Sequence, residues 1–163
     1  MSDLVLRTFR PGDEAAFRRL NEAWISRNFT LEAADREILG DPQTHILAPG
    51  GQICIAELNG ETVGCCALVV TTPRELELAR MTVSESIRGL GLGRRLLQFA
   101  IDEARHTGAR RLCLESNTRA SGSPLRATRL PAPARAGPPV EIRPRQRLHG
   151  VAPGKHWLSA PLN

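Results

Sequence analysis

Tyrosine occurs at none of the 163 positions, and aromatic residues together make up 4% of the chain. Such a chain offers few rings on which bases could stack, which argues against a nucleic-acid partner of the single-strand type. Long apolar runs are lacking too. Val63 to Val70 is the longest, less than half of the roughly 20 residues a bilayer-crossing helix needs, so no membrane partner is expected. Met1-Ser2-Asp3 does not begin the basic-then-apolar pattern of a secretory leader, and a cytoplasmic location is the expectation. Cys54, Cys65, Cys66 and Cys113 show no C-x-x-C spacing, so they are expected to be reduced core thiols, with no metal site.

What is present is the make-up of a globular domain, 41% apolar and 24% charged, long enough to bury a core without disulfides or metal. The net charge of +5 is unevenly spread. Residues 119–163 hold eight of the 22 basic residues, one acidic residue (Glu141) and eight of the 12 prolines. Residues 1–118 carry a net charge of −2. Trp157 is the one aromatic residue of the basic tail. The domain reading is therefore a body over 1–118 and an Arg/Pro/Ala-rich tail over 119–163 that is expected to be largely disordered.

Within the body, Leu4 to Arg10 alternates with period two and reads as a strand. Pro11-Gly12-Asp13 reads as a turn with an Asp cap, followed by a helix to Ser26, with a second helix over Leu31 to Ile38. Gln52 to Leu58 and Glu61 to Val70 flank Asn59-Gly60, a strong hairpin signal. Glu75 to Val83 reads as a strand that places Glu77, Ala79, Met81 and Val83 on one face. A glycine loop follows, then an apolar helix stripe from Leu96 to Ala104 capped at Gly108, then a strand over Arg111 to Glu115. The pattern predicts an α/β domain around a mixed, mostly antiparallel sheet flanked by helices.

The glycine loop is Arg88-Gly89-Leu90-Gly91-Leu92-Gly93. Alternate glycines ahead of a helix let the backbone approach a ligand closely and aim free N–H groups at it, and the helix N-terminus adds partial positive charge. With Arg88, Arg94 and Arg95 alongside, the place suits a phosphate or pyrophosphate. A dinucleotide fingerprint begun at Gly89 would need its third glycine at Arg94, and a P-loop would need Gly-Lys-Ser/Thr where Arg94-Arg95-Leu96 stands, so neither motif applies.

The loop does resemble the R/Q-x-x-G-x-G/A pyrophosphate loop of the GNAT superfamily of N-acetyltransferases. Glu77 to Val83 looks like the strand before it, and Leu112 to Thr118 like the strand and exit after it. The resemblance covers roughly residues 3–118 and implies a GNAT-like fold, acetyl-CoA as cofactor, and a primary amine of a small molecule or protein as substrate, with a homodimer as the candidate assembly. By position it implies that backbone groups of Met81, Thr82 and Val83 meet the pantetheine arm. The amides from Arg88 through Gly89, Leu90, Gly91, Leu92 and Gly93 to Arg94 would hold the pyrophosphate, and Asn117 would lie near the cofactor or its released thiol. A lysine-like amine is protonated at neutral pH, so a base is useful, and Glu77 is the catalytic candidate. The family's acid is typically a tyrosine, which leaves that role unassigned here. An acetyl-CoA-binding module without turnover is the alternative.

After Thr118 the resemblance stops. The genetic code permits Pro124 to Pro131 to be written so that one base later it reads L-Y-E-R-L-G-F, and the same offset lets Ile142 to Val151 read Y-x-R-x-N-V-x-M-E-L. Both segments resemble the missing end of the family's domain. The tail therefore reads as out of frame, with the slip between Thr118 and Pro124. Such a product is expected to leave the Arg111–Glu115 strand with an unpaired edge, to be marginally stable and to be impaired in activity. DNA sequencing tests this: the codons of Leu125 and Ile142 are expected to give tyrosine one base later, and codons that do not would overturn it.

Overall fold

In the computed structural model, residues 3–87, 89–114 and 141–144 are described. The expectation of disorder over the tail falls on residues outside that set, apart from 141–144. Six strands form one sheet in the order β1-β2-β3-β4-β5-β6, with β1 at Leu4–Thr8, β2 at Gln52–Leu58, β3 at Glu61–Thr72, β4 at Glu75–Val83, β5 at Arg111–Leu114 and β6 at Glu141–Pro144. Neighbours from β1 to β4 pair antiparallel, whereas β4–β5 and β5–β6 pair parallel. The mixed, mostly antiparallel sheet expected from the sequence is present. The unpaired edge is not, because Glu141–Pro144 runs alongside Arg111–Leu114 in register.

Alternation in β2 sends Cys54 and Ala56 to one core and Ile53 and Ile55 to the other. Helix α3 (Leu92–His106) covers the first face, with Leu96, Ala100, Ile101 and Ala104 all nearly inaccessible to solvent. Helices α1 (Glu14–Asn28) and α2 (Ala33–Gly40) cover the second through Phe17, Leu20, Ile38 and Leu39. Cys54, Cys65 and Cys66 are buried free thiols, and Cys113 is half-buried. Asn59 and Gly60 take φ of 52° and 82°, the left-handed pair a two-residue hairpin turn requires.

Two local readings change. Asp13 precedes α1 but makes no side-chain cap, because Arg7 takes both its carboxylate oxygens at 2.7 and 2.9 Å and the Arg10 amide donates to it at 2.7 Å. Arg7 also reaches Glu57 at 2.9 Å, so one guanidinium ties β1, β2 and the start of α1 together.

The second change is in β4. Its register with β3 jumps from Cys65↔Thr82 to Ala67↔Ala79, so the single Cys66 faces both Arg80 and Met81. Arg80 takes φ 53°, a left-handed conformation that costs a side-chain-bearing residue about 1–2 kcal/mol. This bulge breaks the alternation expected across Glu77, Ala79, Met81 and Val83. Leu76 and Leu78 face α3 before it, and Met81 and Val83 face α3 after it. Glu77 and Ala79 are thus on the opposite face from Met81 and Val83.

Arg7→Met is expected to cost about 3 kcal/mol, since it strands a carboxylate that is 8% exposed. A lower urea midpoint at unchanged slope would show it. The Arg7 hydrogen bond, with the Arg10 amide, holds the Asp13 carboxyl below its ordinary value of 3.8 against the opposing effect of burial. That stabilisation is complete above about pH 5, begins to fall near the ordinary value, and is lost as the pH drops through the lowered folded value. The acid limb of stability should therefore flatten in Arg7→Met.

Candidate functional site

Beyond Leu78, β4 has no β5 partner among the described residues: the parallel pairing runs from Glu75↔Arg111 to Leu78↔Leu114. The Ser84 amide donates to the Val63 carbonyl at 2.7 Å, and Thr82 is paired with Cys65. Backbone directions alternate along a strand, so the Val83 amide and carbonyl and the Met81 carbonyl point away from β3, toward the side on which no partner is described. Thr82 is buried, and its backbone groups are directed at β3.

After the short 3₁₀ turn at Glu85–Ile87, the chain enters the glycine loop. Gly89 and Gly91 take φ of 88° and 74°, and a Cβ at either would meet nothing within 4 Å. Gly91 is the residue before α3, and its carbonyl accepts the first helical bond, from Arg95 at 3.2 Å. The amides of Leu92, Gly93 and Arg94 therefore precede the helical ladder. A cavity of about 500 Å³ opens here, lined by Val83, Ile87, Gly89, Gly91, Leu92, Gly93 and Arg94. Met81 borders Gly93, its Cε lying 3.8 Å from where a Gly93 Cβ would be. Leu90 projects outward, 75% exposed. Arg88 and Asn117 lie outside the described residues.

Such an arrangement of outward amides, a helix start and the Arg94 and Arg95 side chains on the exposed surface favours an anionic group over the loop. The stretch of β4 beyond Leu78, which has no strand partner on that side among the described residues, carries alternating donors and acceptors suited to an extended amide-bearing chain.

Glu77 does not line this cavity. It is buried at 4% exposure, between Val69 of β3 and Cys113 of β5 in the sheet register. Nearby, Glu75 accepts from the Thr71 hydroxyl at 3.2 Å and the Cys113 thiol at 3.4 Å. The buried thiols are poor nucleophiles: burial pushes Cys65 up to about 12, and hydrogen bonding with Cys54, with burial, holds Cys66 well above its ordinary value. Sequence reasoning did not find Ile87 as a lining residue or Arg80 as the bulge, and arginine carries no preference for positive φ that could have signalled it. No group of three or more His, Cys, Asp or Glu that could hold a metal is found among the described residues, and no described helix is long and apolar enough to cross a membrane.

Comparison with known proteins gives one answer. The family model described as Acetyltransferase (GNAT) family matches residues 13–122. An uncharacterized N-acetyltransferase of Chlorobaculum tepidum is 27% identical over 99 residues, covering 61% of this chain and 59% of its own. An IAA acetyltransferase of Azospirillum brasilense is 38% identical over 87 residues, covering 53% of this chain and 56% of its own. The chain thus spans under two thirds of the length of either relative. Among solved structures, a GNAT family acetyltransferase of Brucella melitensis in complex with acetyl-CoA has a similar fold, with a TM-score of 0.60 at 21% identity, covering 72% of this chain and 80% of the other.

Gly91→Ala should lower stability by about 1 kcal/mol, since alanine resists the 74° φ although space for its methyl is free. A thermal melt checks it, and an unchanged melt would mean that the loop relaxes.

Proposed function

Because the chain belongs to the GNAT acetyltransferase family, we propose that it binds acetyl-CoA at the glycine loop and transfers the acetyl group to a primary amine. The observation that carries this reading is the meeting of Val83, Gly89, Gly91, Gly93 and Arg94 around one cavity at the start of α3. The residues fit the cofactor: open space at Gly89 and Gly91 leaves room for a diphosphate to reach the backbone. The Val83 amide and carbonyl, directed away from β3 by strand alternation, support a pairing with the pantetheine arm. That the Brucella relative holds acetyl-CoA is consistent with the assignment.

Bound acetyl-CoA supplies a thioester carbonyl that an amine can attack. The chain's part is to hold the diphosphate on the loop amides, to align the arm along β4 and to accept a proton from the amine. In the transfer, the amine nitrogen forms a bond to the acetyl carbon, the carbon–sulfur bond breaks, and the sulfur leaves as a thiolate. Glu77 is proposed to take the amine proton, through water, because it lies on the face of β4 turned toward α1 and α2 and away from the cradle. Arg88 and Asn117 keep their proposed roles at the diphosphate and at the released thiol. No tyrosine is available to return a proton to that thiolate. This absence favours the second reading, a binding module with little or no turnover. The out-of-frame reading of the tail is supported by the end of the family match at residue 122, inside the window proposed for the slip.

Calorimetric titration with acetyl-CoA, run beside a thiol-release assay with mixed amines, separates the readings. Saturable binding is expected, weakened about three- to five-fold by Arg94→Ala, as befits an exposed charge. Absence of binding would overturn the assignment, and binding without thiol release would favour the module. Where thiol is released, Glu77→Gln should lower kcat about 100-fold with little change in KM.

A further inference from the structure

The bulge residue is held from outside its own strand. The Arg80 guanidinium lies 2.7 Å from the carboxylate of Asp35 in the first turn of α2, and the two side chains are 14% and 13% exposed. The other carboxylate oxygen of Asp35 accepts the Glu32 amide at 3.1 Å, closing a capping box at the start of α2. One carboxylate therefore fixes both the start of that helix and the side chain of the residue at φ 53°. From Arg80 onward, which face of β4 meets α3 depends on the extra residue. If Arg80 returned to an extended conformation and the register slipped by one, Met81 and Val83 would turn toward α1 and α2. The backbone groups proposed for the pantetheine arm would turn with them.

We propose that Arg80 and Asp35 are a positioning pair: the ion pair holds the left-handed backbone at Arg80 and so presents Met81 and Val83 to the cradle. This rests on the acetyl-CoA reading for its consequence, not for its geometry. Arg80 is not among the residues that line the cavity. Its role is to keep β4 in the bulged register, and it makes the placement of α2 part of what shapes the cofactor side of the sheet.

The pair can be separated from a plain stabilising contact by a rescue. Asp35→Asn removes the charge that holds Arg80 but retains an oxygen for the Glu32 amide. The double variant Asp35→Asn with Arg80→Gly has no ion pair, but glycine adopts the left-handed conformation freely. Two measurements on the full chain apply, acetyl-CoA titration and hydrogen exchange at the Ser84 amide, which pairs with Val63. Asp35→Asn is expected to weaken acetyl-CoA binding about ten-fold, the scale of a left-handed backbone released from its restraint, and the double variant to return within about two-fold of the parent. Ser84 exchange should accelerate in the single variant and slow again in the double. A single variant matching the parent in both measurements, or a double variant as impaired as the single, would overturn the proposal. Should the parent itself fail to bind acetyl-CoA, the functional reading falls, and Ser84 exchange still decides the positioning role.

Discussion

The bulge at Arg80 puts Arg80 and Met81 opposite the single Cys66, and the organisation of the cofactor side derives from that extra residue. It exchanges the faces of β4 midway along its length. The half paired with β5 sends Leu76 and Leu78 into the α3 core, and the half beyond sends Met81 and Val83 there. Without the exchange, Thr82 would meet α3 in place of Met81 and Val83. Beyond the bulge no described residue of β5 accompanies β4, and Val83 lines the cavity at the start of α3.

Fixing a strand in that state takes packing on both sides. On one side α3 presents Leu92, Leu96 and Ala100 to the sheet, and its N-terminus is set by the left-handed Gly91. On the other, α2 reaches Arg80 through Asp35, and Arg7 holds Asp13 and Glu57 together across β1 and β2. These ionic contacts pair charges that are largely withdrawn from water, where losing one partner costs more than the pair contributes. Their value is in fixing registers and helix starts, and the apolar faces supply the bulk of the stability.

The parts of this structure legible in the sequence are those with a local physical signature. Asn59-Gly60 forms the hairpin its φ preferences require, β2 and β4 keep their expected bounds, and α3 stops beside Gly108. The glycine loop was also legible, because closely spaced glycines ahead of an apolar stripe leave few alternatives. The bulge was not: arginine gives no hint of a left-handed backbone, and strict alternation from Glu75 to Val83 was the simplest continuation. The Asp13 capping role failed for a related reason. Its spacing suited a cap, but Arg7, contributed by the preceding strand, offered its carboxylate a charged partner.

The cradle is also unusually local in sequence. Its strand, turn, loop and helix run consecutively from Glu75 to His106, and the β2–β3 hairpin that α3 packs on comes immediately before. All of this lies upstream of residue 118, so a change of reading frame after that point leaves each residue of the cradle encoded as before. Such a change replaces only the chain beyond β5. The residues that line the cavity are therefore separable, by position along the chain, from everything beyond residue 118. Short-range contacts close with little loop entropy, and the β2-to-α3 segment is built largely from them, the pairing of β4 with β5 being its link to the chain that follows.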